Sequence, residues 1–154
     1  MAVAGLLLGT ESRHVRENKV VTFQSVGGTG ALRIGAQFLS KEMGYDTFCL
    51  SSPSWGESLY IPKIFGGYKK KFFLFPKGLS LFRTQEKKLF PFFDVSYQGL
   101  TSGDVDDDIW PVRFFADRGL EFMVAYSLAL STALYSKYFY SAKVTEGDQK
   151  FSQR

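Results

Sequence analysis

One cysteine, one histidine and one asparagine in 154 residues set the first limits on this chain. A single thiol, Cys49, excludes an intrachain disulfide and fits a reducing compartment. It lies in an apolar, strand-like run and reads as a buried, inert side chain. With no cluster of cysteine and histidine, no zinc or other metal site is expected. His14 lies in a polar, charged stretch and reads as a solvated side chain, which leaves serine–histidine–aspartate catalysis without a placed base. Long hydrophobic runs are scarce as well. The run 122–135 is too short and too rich in Ser and Thr to span a bilayer. The apolar N-terminus lacks the basic segment and the small-residue cleavage site of a signal peptide. A soluble, cytoplasmic protein is the expectation.

What is present is globular. Hydrophobic residues make up 45% and charged residues 22% of the chain, with sixteen Phe and eight Tyr, enough at this length to bury the core of one domain. Much of the basic excess behind the net charge of +4 lies in Lys69-Lys70-Lys71 and the C-terminal tail. That is too modest and too dispersed to argue for nucleic acid or a membrane surface.

Residues 1–8 read as the end of a helix closed by Gly9. An apolar segment, 20–23, leads into Gly27-Gly28-Thr29-Gly30. Leu32, Ala36, Leu39 and Met43 recur at helical spacing, which predicts a helix over 31–43 with Gly44 as its cap. Strand signals at 47–50, 89–93 and 122–125 alternate with helical ones at 57–64 and from the acidic run 104–108 to about 118. No periodicity follows Tyr135. Strand and helix in alternation define an α/β fold.

Three places could carry chemistry. At 90–103 an apolar run meets a carboxylate, Asp94, and three residues later a phenol, Tyr97. The carboxyl end of a strand is where α/β folds bind ligands, and an acid and a phenol there could hold a heteroaromatic ring by its nitrogen and its oxygen. They also read as a turn carboxylate and a surface phenol. Gly27, Gly28 and Thr29 open a helix, where close backbone approach and amide donors favour an anion; a plain glycine-rich turn reads equally well. No Lys-Ser/Thr follows, so this is not a Walker loop. Trp55, after a Ser-Ser-Pro-Ser turn, could stack on a planar ring or simply pack in the core.

In this order the pieces resemble one family. Val-Gly-Gly-Thr-Gly-Ala-Leu-Arg-Ile-Gly-Ala at 26–36, Ser-Ser-Pro-Ser-Trp at 51–55, the 90–103 segment, Arg113-Phe114-Phe115 and Gly119-Leu120-Glu121-Phe122 look like aspartate aminotransferase, a pyridoxal phosphate enzyme of fold type I. The resemblance covers residues 1–66 and 87–135. It implies a partial large domain with a mostly parallel sheet flanked by helices over 1–135, in which 67–86 replace a longer family segment, and an unrelated flexible tail at 136–154. It also implies amino transfer between aspartate and 2-oxoglutarate, and homodimers. By the same resemblance Gly27, Gly28, Thr29 and Ser127 contact the cofactor phosphate, Trp55 stacks on the pyridine ring, Asp94 keeps the ring nitrogen protonated, and Tyr97 bonds the ring oxygen.

The match also breaks. Leu130 occupies the position of the family's Schiff-base lysine, so no catalytic residue is assigned, and Tyr138 falls on a phosphate-binding arginine. Asn18, the only asparagine, is far from the family's Asn-Pro-Thr-Gly segment, and the arginines that clamp dicarboxylates have no counterpart. Pro111 falls where the family builds helix with alanine. The expectation is a catalytically impaired aspartate aminotransferase-like chain, with a non-catalytic interaction protein or pseudoenzyme as the alternative.

Overall fold

The computed structural model describes residues 2–45, 47–48, 69–70, 89–128 and 138–144, and side chains within 3–45 and 89–128. The chain divides into two compact units, one formed by 1–31 with 91–154 and the other by 32–90.

The first unit holds a four-stranded sheet in the order β1-β6-β5-β4, made of β1 (Val20–Val26), β4 (Phe92–Val95), β5 (Phe122–Ser127) and β6 (Tyr138–Val144). β4 pairs parallel with β5, while β6 pairs antiparallel with both β1 and β5. Strands β1, β4 and β5 therefore share one direction and only β6 opposes them, in keeping with the expected mostly parallel sheet. β6 is a correction. Residues 138–144, expected to be part of a flexible tail, form a strand in the interior of this sheet, and its run of aromatic side chains, Tyr138-Phe139-Tyr140, has the β preference that suits it.

All six residues of β5 are buried, as befits an interior strand packed on both faces. One face of the sheet carries Phe93, whose ring meets those of Phe122 at 5.7 Å and Phe115 at 5.2 Å, both nearly edge-on. Phe115 belongs to α4 (Val105–Asp117), which buries Ile109, Val112, Phe115 and Ala116 at helical spacing. This helix starts as its sequence dictates. Asp104 is the N-cap, accepting from the amides of Asp106 and Asp107 at 2.7 and 3.1 Å, and Asp106–Asp108 lie at the positive end of the dipole. It ends at Gly119, whose φ of +66° suits a glycine cap. Pro111 is the seventh of its thirteen residues, so it sits in the helix interior rather than the early turn where proline is tolerated. Its missing N–H leaves the Asp107 carbonyl without the usual partner.

The helix α1 (Ala2–Leu8) buries Val3, Ala4, Leu7 and Leu8. It is tied to α4 by Arg113, whose Nε donates to the Leu7 carbonyl at 3.2 Å. The polar stretch that follows contains a single helical turn, α2 (Arg13–Arg16), and here a second expectation fails. His14 is buried rather than solvated, and its Nε2 lies 2.9 Å from the Ala116 carbonyl, so the ring is a structural pin between α2 and the end of α4.

β1 passes into α3 (Gly27–Lys41) with no residue between them. The helix thus begins four residues earlier than its apolar spacing predicts. Gly27, at φ +71°, supplies the left-handed backbone that this abrupt junction requires. In the second unit, α3 is closed by Gly44 at φ +73°, and the rings of Tyr45 and Phe90 meet at 5.8 Å, tilted by 56°. There β2 (Thr47–Phe48) pairs parallel with β3 (Lys69–Lys70), which gives the first two lysines of the basic cluster strand geometry. The expected helix at 57–64 lies outside the described residues. No helix among the described residues is long and apolar enough to cross a membrane.

Candidate functional site

The common direction of β1, β4 and β5 puts their carboxyl ends at one edge of the sheet, and most of the residues singled out in the sequence meet there. Asp94 is the third of four residues in β4, inside the strand rather than just beyond it. The expected strand 89–93 starts late because Pro91 has no N–H for a ladder and serves instead through its carbonyl, which accepts from Met123 at 3.0 Å. Asp94 pairs with Ala125, two residues before Ser127. Side chains two apart in a strand share a face, so Asp94 and Ser127 project from the same side, with Cα atoms roughly 8 Å apart by strand geometry. That side is opposite to the one bearing Phe93 and α4.

Ser127, the last residue of β5, is 2% exposed. Across β6 it is matched by Ser25, since both pair with Phe139. Ser25 is buried and its hydroxyl donates to the Gly27 carbonyl at 3.4 Å. The first turn of α3, Gly27-Gly28-Thr29-Gly30, begins two residues after Ser25 and contains no acidic side chain. Its free-facing amides and the positive end of a fifteen-residue helix favour an anion. Ser25 went unread in the sequence, although its place two residues before the glycine run, at a strand end, was the available signal.

Asp94 keeps solvent on its open side, but the surrounding protein desolvates the carboxyl and raises its pKa above the ordinary value. Desolvation is the sole cause, and no cation among the described residues answers this charge. A raised carboxyl pKa means that the ionised form costs the fold stability above the unfolded pKa. A protonated heterocyclic nitrogen is one group that would relieve that cost.

Tyr97 lies two residues beyond β4. It is 51% exposed and holds a left-handed backbone at φ +64°, a region that non-glycine residues seldom occupy. The loop after it is fastened to α4. Asp108 Oδ2 accepts from the amides of Gly99 at 2.7 Å and Thr101 at 3.2 Å, and Oδ1 accepts from the amide of Ser102 at 3.1 Å. Partial desolvation works to raise the Asp108 carboxyl, but hydrogen bonds from Ser102, Thr101 and Gly99 outweigh it and hold the pKa below its usual value. This contribution is fully present above the ordinary carboxylate range and is lost as pH falls through the depressed pKa. The acidic run had read only as a helix start. Its last member is also a loop clamp.

Trp55 and Leu130 lie outside the described residues. Among the described residues no group of His, Cys, Asp and Glu could hold a metal ion.

The class follows from comparison of this fold with solved structures. The chain superposes on the cytoplasmic aspartate aminotransferase of Giardia lamblia with a TM-score of 0.80 and 25% identity, covering 97% of this chain and 46% of that one. It superposes on an aromatic-amino-acid aminotransferase from Burkholderia pseudomallei, itself covalently bound to pyridoxal phosphate, with a TM-score of 0.81 and 24% identity, covering 94% and 47%. The fold is part of the fold type I aminotransferase architecture. Sequence relatives narrow this further. The cytoplasmic aspartate aminotransferase of Caenorhabditis elegans is 32% identical over 179 positions, covering 88% of this chain and 44% of the relative. A chloroplastic aspartate aminotransferase of Arabidopsis thaliana is 32% identical, covering 88% and 39%. The chain is homologous to the aspartate aminotransferases and spans less than half the length of these relatives. Because 88% of 154 residues is about 136, some 43 of the 179 aligned positions of the nematode protein face gaps in this chain. No protein-family model matches the chain.

Proposed function

We propose that this chain is an aspartate aminotransferase-like protein that keeps a partial pyridoxal phosphate pocket and lacks the amine needed for transamination. The observation that carries the reading is the meeting of Gly27–Thr29, Asp94 and Ser127 at one edge of one sheet, together with the desolvated carboxyl of Asp94. When bound, pyridoxal phosphate supplies an electron sink. Asp94 would hold the ring nitrogen protonated, and the Tyr97 phenol would donate to the ring oxygen. The amides of Gly27 and Gly28 and the hydroxyls of Thr29 and Ser127 would bind the phosphate, with Trp55 against the ring face.

At position 130 the family's lysine is a leucine. A hydrocarbon there can neither hold the cofactor covalently nor carry a proton between substrate and cofactor. The substrates of the ancestral reaction, aspartate and 2-oxoglutarate, the homodimer and the cytoplasmic location are carried over from the family as part of this proposal.

Titrating the full chain with pyridoxal phosphate, followed by protein fluorescence, tests the reading. Saturable binding is expected, and Asp94→Ala is expected to weaken it by about 10- to 100-fold, the worth of a charge-assisted hydrogen bond. Absence of saturation, or equal affinity in the variant, would refute it.

A further inference from the structure

Tyr97 is held in a conformation that its own residue type disfavours, so its surroundings must impose it. Asp108 is the group placed to do so. Tyr97 opens a turn in which the Leu100 amide donates to its carbonyl at 2.9 Å and the Thr101 hydroxyl approaches the same oxygen at 3.5 Å. The amides of Gly99, Thr101 and Ser102, which follow Tyr97 in the same loop, all converge on the two oxygens of Asp108. Gly99 is pressed against α4, since a Cβ there would come within 2.9 Å of Val105 Cγ2, and its own φ is +81°. On the other side of the turn, Gln98 is buried and donates to the Val105 carbonyl at 3.1 Å. The turn therefore has few ways to rearrange while Asp108 holds its three amides.

We infer that Asp108 is a positioning residue for Tyr97: by gathering the amides of Gly99, Thr101 and Ser102 it fixes the left-handed turn that presents the phenol at the sheet edge beyond Asp94. The task assigned to the phenol rests on the cofactor reading above; its conformation does not. A carboxylate suits this role because it accepts at both oxygens. An asparagine of the same shape has only one accepting atom, so it can keep the single bond at Oδ1 or the pair at Oδ2, not both.

The test uses the full chain and its Asp108→Asn, Asp108→Ala, Tyr97→Phe and Asp108→Asn/Tyr97→Phe variants. In the protein without cofactor, NMR should find Tyr97 at positive φ in the wild type and displaced from it in Asp108→Ala. Amide exchange at Gly99, Thr101 and Ser102 should speed up by about tenfold or more in both Asp108 variants, with exchange in β5 unchanged. In pyridoxal phosphate titrations, Asp108→Asn should lose affinity to a similar degree as Tyr97→Phe, and the double variant should lose no more than either. A positive φ at Tyr97 with unchanged exchange in Asp108→Ala would overturn the inference, as would fully additive losses in the double variant. If the wild type takes up no pyridoxal phosphate, the cofactor reading falls, while the NMR measurements still decide the positioning role. Should Asp108→Ala fail to fold, Asp108→Asn carries the same comparison.

Discussion

Phe122→Ala is expected to remove about 3–5 kcal/mol of stability, the usual loss on truncating a fully buried aromatic residue. Phe122 is 0% exposed at the start of β5 and sits edge-on to Phe93 at 5.7 Å. Phe93 also meets Phe115, so the ring of Phe122 is one end of a contact chain joining β5, β4 and α4. The cavity left behind is walled by a strand with every residue buried, which leaves little scope for collapse. Against a typical total of about 5–15 kcal/mol, a loss of this size approaches half of the stability. Urea unfolding should show the midpoint falling steeply with little change in slope. A loss below about 1 kcal/mol would mean that the site refills, and that the three rings are not the tie between α4 and the sheet.

Pro111→Ala should act in the opposite direction, raising stability by about 2 kcal/mol. An interior proline costs a helix about 3 kcal/mol through its missing donor and the clash with the preceding turn, and a loss of up to about 1 kcal/mol from the freer unfolded chain offsets part of the gain. For a chain of this size that is roughly a 4–8 °C rise in Tm. Alanine would restore the bond to the Asp107 carbonyl without disturbing the buried stripe of Ile109, Val112, Phe115 and Ala116. An unchanged or lowered Tm would show that α4 is bent around the proline and uses the bend.

Local signals were the readable ones. α4 declared its start through Asp104 and its end through Gly119, and β5 was an unbroken apolar run; both lie where expected within a few residues. The start of α3 was legible in the glycine motif that opens it but not in its apolar spacing, which begins only at Ala31: four residues with three glycines have poor helix propensity, yet a positive φ at Gly27 lets the helix begin there. β6 was hidden for a different reason. Its pairing with β1 joins residues more than a hundred positions apart, and no local pattern announces such a partner. His14 and Asp108 were misread or half-read on the same ground: one answers a carbonyl from a distant helix, the other a loop six to nine residues back. At the site, Gly27–Thr29, Asp94 and Ser127 were legible as residue types in order, and the sheet brings them to one edge. Ser25 had a local signal in its place before the glycine run, but its match to Ser127 comes only from the register across β6.

Reductive trapping decides whether this chain keeps a cofactor pocket without its amine. The full chain and its Leu130→Lys variant would be saturated with pyridoxal phosphate, reduced with borohydride, digested and mapped by mass spectrometry. Saturable binding with no single labelled site is expected in the native chain, and one dominant adduct at position 130 in Leu130→Lys. A single stoichiometric adduct on a native lysine would contradict it, because the chain would then possess the covalent amine that Leu130 is held to have replaced.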